Sequence, residues 1–408
     1  MHTIKSFSIK FVVFCSILCF FNLSHAGWLT VFQSDSFDLK SIHFPVDAQT
    51  GYAVGYGYNE ACVFKTTNGG WTWNPQATGL SGGLKAVYFP ENTEIGYAVG
   101  DYGIVIKTTN GGSDWVEQYS GVTSELYAVQ FPIDCDTGFA VGYNGVIIKT
   151  TDGGENWFGL TSGTTEGLLA IDFPVDASVG YVGGSDGVRK TVNGGITWTD
   201  ITPATMYVCI EDIDFPVNTQ VGYAVGWDMF IFKTTNGGVT WDTMRPYDAG
   251  KEYAAVHTVH FPLNDQVGYF GGTGFEIFKT TDGGLTFSHQ FVPKGIVYSV
   301  WFPVDDDTGF AACCEACILK TTDGGGTFIT EQTGRKIPVL QFCVNPNPFR
   351  SDARVPGHES ELFNIYDVTG CLVVSCRGAM LGENLKPGVY FVAPAGRANP
   401  SVKIVKLQ

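Results

Sequence analysis

Read as a string of apolar and polar positions, the chain repeats one pattern from near residue 37 to near residue 328. A short alternating stretch ends in Phe-Pro. A G-[YF]-x-x-G-like stretch follows, then an apolar stretch ending in Lys-Thr, then a Gly-rich turn and an aromatic residue. Phe-Pro falls at Phe44, Phe89, Phe131, Phe173, Phe215, Phe261 and Phe302, at intervals of about 42 residues. The Lys falls at Lys65, Lys107, Lys149, Lys190, Lys233, Lys279 and Lys320. Alternation bounded by Gly, Pro and Asn predicts strands rather than helices. Each unit then holds four: A (such as Leu84 to Phe89), B (Gly96 to Gly100), C (ending in Lys-Thr) and D (from Trp115). Four strands in a repeat of this size make a propeller blade, and closing seven blades into a ring protects the sheet edges. The expected fold is all-β: a seven-bladed β-propeller over 27–335, then a small β-sandwich over 336–408. Two stretches compete for the outer strand of blade 7, Trp28 to Gln33 and Phe328 to Gln332, and spacing leaves both open.

The first 26 residues break the pattern. His2, Lys5 and Lys10 precede an apolar run from Phe11 to Leu23, and Ser24-His25-Ala26 puts small residues where a signal peptidase cuts. Residues 1–26 are therefore expected to be a signal peptide; the run is shorter than the roughly 20 residues that span a bilayer.

Composition narrows the function. The 408 residues carry a net charge of −16, and losing Lys5 and Lys10 with the leader moves it near −18. Such a surface repels phosphate backbones, so no nucleic-acid partner is expected. Eleven Cys, two of them in the leader, do not repeat from blade to blade and so form no disulfide framework. Cys313 and Cys317 flank one turn, where a hairpin disulfide, a soft-metal site or free thiols all fit. No cofactor or metal is expected, and the chain reads as a monomer.

The turn between strands C and D, Thr66-Thr67-Asn68-Gly69-Gly70-Trp71-Thr72-Trp73 in blade 1, resembles the Asp-box, or bacterial neuraminidase repeat. Its acid or amide falls at Asn68, Asn110, Asp152, Asn193, Asn236, Asp282 and Asp323. A short polar side chain there accepts backbone N–H groups within the turn, and Gly supplies positive φ. These residues read as structural. With F-P, G-Y-A-V-G and K-T-T-[ND]-G-G-x-T-W, the run from Asp35 to Gly334 resembles the photosystem II stability/assembly factor family of seven-bladed propellers. That resemblance implies a non-catalytic protein that binds a partner.

After Arg335 the repeat stops. Val344-Asn345-Pro346-Asn347-Pro348-Phe349, Leu362 to Gly370, Leu385 to Val392 and Lys403 to Leu407 resemble the type IX secretion C-terminal sorting domain. That resemblance implies a secretion machinery as partner, and a chain secreted from, or held on the surface of, a bacterium with an outer membrane.

A binding face can be sought by comparing the blades. A–B and C–D connections share one face and are nearly constant. B–C turns share the other and differ in every blade. They offer Tyr56, Tyr58, Tyr102, Tyr143, Asn144, Asp186, Trp227, Asp228, Phe275 and Glu276 as candidate contacts to a protein or glycan. No catalytic residue is expected. The alternative is a glycan-active hydrolase of the Asp-box type, a sialidase or glucanase. Against it, only Arg189 and Arg245 fall within the blades, too few for a sialidase Arg triad. Asp172 and Asp214, at equivalent strand-A positions, are the nearest thing to a carboxylate pair. His257 and His260, three apart on one strand, are expected on opposite faces.

Overall fold

The computed structural model describes residues 27–326, except 35, 58–59, 204–205, 207–208, 247–253, 275 and 294. It also describes 362–366, 372–377, 385–386, 388–394 and 402–406. The expected leader at 1–26, the stretch at 328–332 and the N-P-F segment lie outside the described residues. Ala26–Glu331 forms one compact unit, and Gln332–Gln408 falls in a second.

The first unit is a ring of seven four-stranded sheets. The first strand of the chain, β1 (Leu29–Phe32), pairs antiparallel with Cys317–Thr322 of blade 7. The next four, β2 (Phe37–His43), β3 (Gly51–Gly57), β4 (Glu60–Thr66) and β5 (Asn74–Gln76), make blade 1 in chain order. Blades 2 to 6 repeat that order. The first strands of successive blades touch one another, and the last, Val297–Trp301, touches β2, so they line the axis.

Local chemistry explains the turns. Each A–B connection is an Asx turn: Asp47 Oδ1 accepts the N–H groups of Gln49 and Thr50, and Asn92, Asp134 and Asn218 do the same in their blades. In each C–D turn the Thr hydroxyl bonds the acid or amide two residues on, as Thr66 bonds Asn68 at 3.0 Å. The two Gly that follow, Gly69 and Gly70, have φ of 69° and 81°, where a side chain would be strained.

Two contacts recur between all neighbouring blades. An aromatic of strand B stacks on the Phe-Pro ring of the next blade, from Tyr52 on Phe89 at 3.8 Å round to Phe310 on Phe44 at 3.8 Å. Such pairs contribute about 0.5–1.5 kcal/mol beyond buried area. The Lys of strand C donates to a turn carbonyl of the next blade, from Lys65 to Gly111 O at 2.7 Å round to Lys320 to Gly69 O at 2.6 Å. Within most blades a buried Trp meets the Phe-Pro ring edge-on, as Trp115 meets Phe89 at 6.1 Å.

The outer strand of blade 7 is β1, which decides between the two stretches that spacing left open. Trp28 meets Phe302 edge-on at 5.8 Å, the place a strand-D Trp holds elsewhere. The blade is thus completed by the other end of the unit.

Among the described residues, the second unit is one four-stranded antiparallel sheet. Its order is Leu372–Arg377, Leu362–Tyr366, Gly388–Pro394, Val402–Lys406. Phe363, Ile365 and Leu385 are buried in it. No helix among the described residues is long and apolar enough to cross a membrane.

Candidate functional site

The axial strands do not alternate simply. Pairing between β2 and β3 shifts between Leu39 and Ser41, and the same bulge recurs in all seven blades. A bulge puts two successive residues on one side. Leu39 and Ile42 enter the core. Lys40, Ser41 and His43 instead all meet side chains or backbone of the neighbouring axial strands. Three stacked rings of axial side chains result.

The ring nearest the Phe-Pro turns ties the blades together. His43 Nδ1 accepts the Phe89 N–H, Gln130 Oε1 that of Phe173, Asp172 Oδ2 that of Phe215 and Asp214 Oδ2 that of Phe261. Trp301 Nε1 donates to Phe44 O at 2.9 Å, and a ring nitrogen of His260 lies 3.2 Å from Phe302 O. One layer up, Ser41, Asp212, Thr258 and Ser299 each accept a backbone N–H from the next blade. Burial pushes Asp172 up to about 6 and Asp212 up to about 7, and raises Asp214 well above the carboxylate range, helped by the charge of Asp172. Burial pushes His43 down to about 3 and His260 down to about 4. Asp172 and Asp214 are therefore inter-blade acceptors.

The bulge also corrects the expectation for the two histidines. His257 lies 3.7 Å from Glu211 and 5.4 Å from the ring of Tyr298, while His260 stacks on Trp301 at 4.5 Å. Both lie on the axial side, in different rings, and no cluster able to hold a metal occurs among the described residues. Cys313 and Cys317 face each other across their hairpin as buried thiols with no disulfide between them, so the disulfide alternative is not the one adopted.

The third ring opens on the face of the B–C turns, because strand A begins where strand B ends: Asp38 pairs with Tyr56. It consists of Lys40, Lys85, Tyr127, Leu169, Glu211, His257 and Tyr298. Five blades supply a continuous arc of contacts. The Trp227 indole donates to Glu211, Glu211 faces His257, and His257 packs on Tyr298. Lys40 Nζ lies 3.5 Å from the Tyr298 ring centroid and 5.3 Å from that of Tyr56. Lys85 Nζ also lies 5.2 Å from the Tyr56 ring centroid and pairs with Asp101 at 3.0 Å. Burial lowers Lys40. Burial opposes ionisation of Glu211, but its bonds to His257 and Trp227 outweigh that and hold it low. Burial raises Tyr298 to about 12.

Of the candidates from the B–C turns, Tyr56, Tyr102, Trp227 and Asp228 belong to blades of this arc, whereas Tyr143, Asn144 and Asp186 belong to blades 3 and 4, outside it. Tyr102 is 75% exposed, Trp227 58% and Tyr143 54%. Tyr102, Asn144 and Asp228 have φ near +60°, so the turns hold their side chains in a fixed, uncommon backbone. Tyr56 is at the edge of exposure and donates to Asp38 at 3.1 Å. Asp186 is held by Arg189 at 2.7 Å. Glu276 is a correction: it opens the strand Glu276–Thr280 and is buried 3.8 Å from His289, not displayed on a loop. Tyr58 and Phe275 lie outside the described residues.

Sequence reasoning missed the ring of Lys40, Lys85, Tyr127, Glu211, His257 and Tyr298. The signal was present: this strand-A column follows an apolar residue in every blade, from Leu39 to Val297, yet it carries Lys, Tyr, Leu, Glu or His.

No family model and no curated protein matches the chain. Solved structures do. YCF48 from Cyanidioschyzon merolae is 20% identical over 72% of this chain and 98% of its own, with a TM-score of 0.59. YCF48 bound to D1 peptide is 18% identical over 74% and 98%, with a TM-score of 0.60. The GH74 xyloglucanase from Xanthomonas campestris is 12% identical over 75% of this chain, with a TM-score of 0.61, and the match spans only 55% of that enzyme. At these identities the likeness is one of fold, the seven-bladed ring.

Proposed function

We propose that this chain is a non-catalytic protein-binding propeller that takes a peptide segment across its B–C face. The observation carrying this reading is the arc from Trp227 through Glu211, His257, Tyr298, Lys40 and Tyr56 to Lys85. It offers aromatic surface, two cations and fixed acids side by side, the mixture that marks protein contact surfaces. The opposite face holds the Asx turns and the [ND]-G-G turns, whose polar atoms serve each other. Likeness to a propeller bound to a peptide, and the sequence resemblance to the photosystem II stability/assembly factor family, support the same reading. The resemblance to a type IX sorting domain and the leader at 1–26 add an address: export to the outside or surface of a bacterium with an outer membrane. The C-terminal segment is then the contact to the secretion machinery.

The glycan-hydrolase alternative draws on the xyloglucanase likeness and the Asp-box resemblance. Asp172 and Asp214 suit it poorly, since each carries a backbone hydrogen bond from the next blade. The test is selection of 12-residue peptides on the protein beginning at residue 27, run beside a glycan array and a reducing-sugar assay. Peptides whose binding falls at least tenfold on Trp227→Ala support the proposal. Glycan binding or sugar release lost on the same substitution would replace it with the alternative.

A further inference from the structure

Six of the seven [ND]-G-G turns are closed by their own chain. In each, Oδ1 of the acid or amide accepts the backbone N–H four residues on: Thr72, Asp114, Asn156, Thr197, Thr240 and Thr286, at 2.8–3.0 Å. In the seventh, the residue four on, Thr327, lies outside the described residues. Asp323 Oδ1 accepts the Thr321 hydroxyl as usual, and among the described residues it also accepts a backbone N–H from Gly27, at 3.2 Å and 296 residues upstream. Trp28 then stands where a strand-D Trp stands, with its indole donating to buried Gln290 at 2.8 Å. Leu29 pairs with Lys320 as Asn74 pairs with Lys65. The register of the outer strand is thus set from Gly27 onward.

The second carboxylate oxygen makes this informative. Where the turn carries Asp within its own chain, Oδ2 takes a donor from the side chain four residues on. Asn156 serves Asp152 at 2.8 Å, and Thr286 serves Asp282 at 2.6 Å. Asp323 has the same two acceptors, and among the described residues the Gly27 N–H is the backbone donor that reaches it. An α-ammonium at Gly27 would supply the further donors and a positive charge. The sequence Ser24-His25-Ala26 ends immediately before that residue, with small side chains at the positions a signal peptidase needs.

We propose that the Ala26–Gly27 bond is a processing site and that the amine it frees is a structural part, the ion-pair partner of Asp323 that closes the ring. This rests on the export reading of the leader. A signal peptidase hydrolyses the amide: water gives its hydroxyl to the Ala26 carbonyl carbon and a hydrogen to the Gly27 nitrogen. The amine then takes a proton from solvent and meets Asp323. The closed seventh blade is in this way coupled to removal of the leader.

Two measurements test it separately. Intact-mass analysis of the exported protein should give a chain beginning at Gly27; any other start overturns the processing site. For the pair, the chain 27–408 is made with a free amine and with an Nα-acetyl group, which keeps the N–H but removes the charge. Each is made with Asp323 and with Asp323→Asn. At low salt the free-amine chain should melt about 2 °C above the acetylated one. Asp323→Asn should abolish that difference, whatever its own effect on stability. Equal melting of the free and acetylated chains with Asp323 in place overturns the ion pair, even if the mass is as expected.

Discussion

Replacing Asp172 by Asn should change the pH dependence of stability more than stability itself. Asp172 accepts the Phe215 N–H at 2.8 Å and the Gln130 amide at 3.0 Å, yet burial still pushes it from 3.8 up to about 6. A carboxyl raised in the folded state binds its proton more tightly there than in the unfolded chain. Its contribution is therefore fully present below about pH 3.8 and lost as pH rises through 6. A shift of that size corresponds to about 3 kcal/mol at 1.36 kcal/mol per unit. Asn cannot ionise, so it removes this dependence. It also has a constant cost, because its amide NH2 must face Gln130, whose own oxygen is held by the Phe173 N–H. His43 and His260, pushed down to about 3 and 4, contribute stability that is lost as pH falls below 6.5, but they do so equally in both proteins. Urea unfolding of both proteins from pH 3.5 to 8.5 reads this effect together with the relief that loss of the Asp172 charge gives to Asp214 and Asp212. The difference between them should move by at least about 3 kcal/mol in favour of Asn on going up to pH 7.5. A difference that stays flat would mean that Asp172 titrates normally, and that the axis is wet enough to solvate it.

Other outcomes follow from burial and exposure. Trp115→Ala should cost roughly 3–5 kcal/mol in chemical denaturation, because the ring is buried edge-on against Phe89, whereas Trp71→Ala, at a mostly exposed turn residue, should cost under about 1 kcal/mol. Equal losses would refute the packing account. The triple change Tyr102→Ala, Tyr143→Ala and Trp227→Ala should leave the melting temperature within about 2 °C while weakening a selected peptide by at least about 1–2 kcal/mol. Unchanged affinity in calorimetry would move the site off this face. Deleting 340–408 should leave the protein in the periplasm of its host, and normal appearance of the shortened chain in the medium would refute the sorting reading.

The blades were legible because their signals are local. Phe-Pro, the [ND]-G-G turn and the paired strands lie within one unit of roughly 42 residues, and seven copies average out irregularities in any one. Ring closure was not legible. The partner of Cys317–Thr322 is a strand some 290 residues away, and the competing stretch after Gly326 has equal alternation. What decides is Trp28, whose place against Phe302 and Gln290 exists only after the ring forms. The candidate site was half legible. Tyr102, Tyr143 and Trp227 stand out as loop aromatics, but period-two reasoning separated His257 from His260 and passed over Lys40 and Glu211. A bulge leaves no composition signal in a strand this short, so strict alternation assigns the wrong side downstream of it. Glu276 failed for a related reason: turn and strand differ there by one residue, and that residue is buried.

The division of labour within a blade locates specificity. The strand-B aromatics and the strand-C Lys are used between blades, and they are nearly the same seven times: Phe139 and Phe310 replace Tyr without loss of the stack. The lower axial ring tolerates His, Gln, Asp or Trp because each needs only to reach one backbone group of the next blade. The upper ring has no such duty in common. Lys85 is paired to an acid of its own blade, whereas Lys40 is held over a tyrosine of blade 7, and Glu211 bridges a loop indole and a histidine of blade 6. Nothing in the shared scaffold demands these residues, and their contacts run across five blades in one direction around the mouth. A ligand that touched only one blade could be served by one unusual turn. An arc spanning five, prearranged by hydrogen bonds and cation–π contacts, has the length for an elongated partner laid along it, which is the ground for proposing a peptide rather than a small molecule.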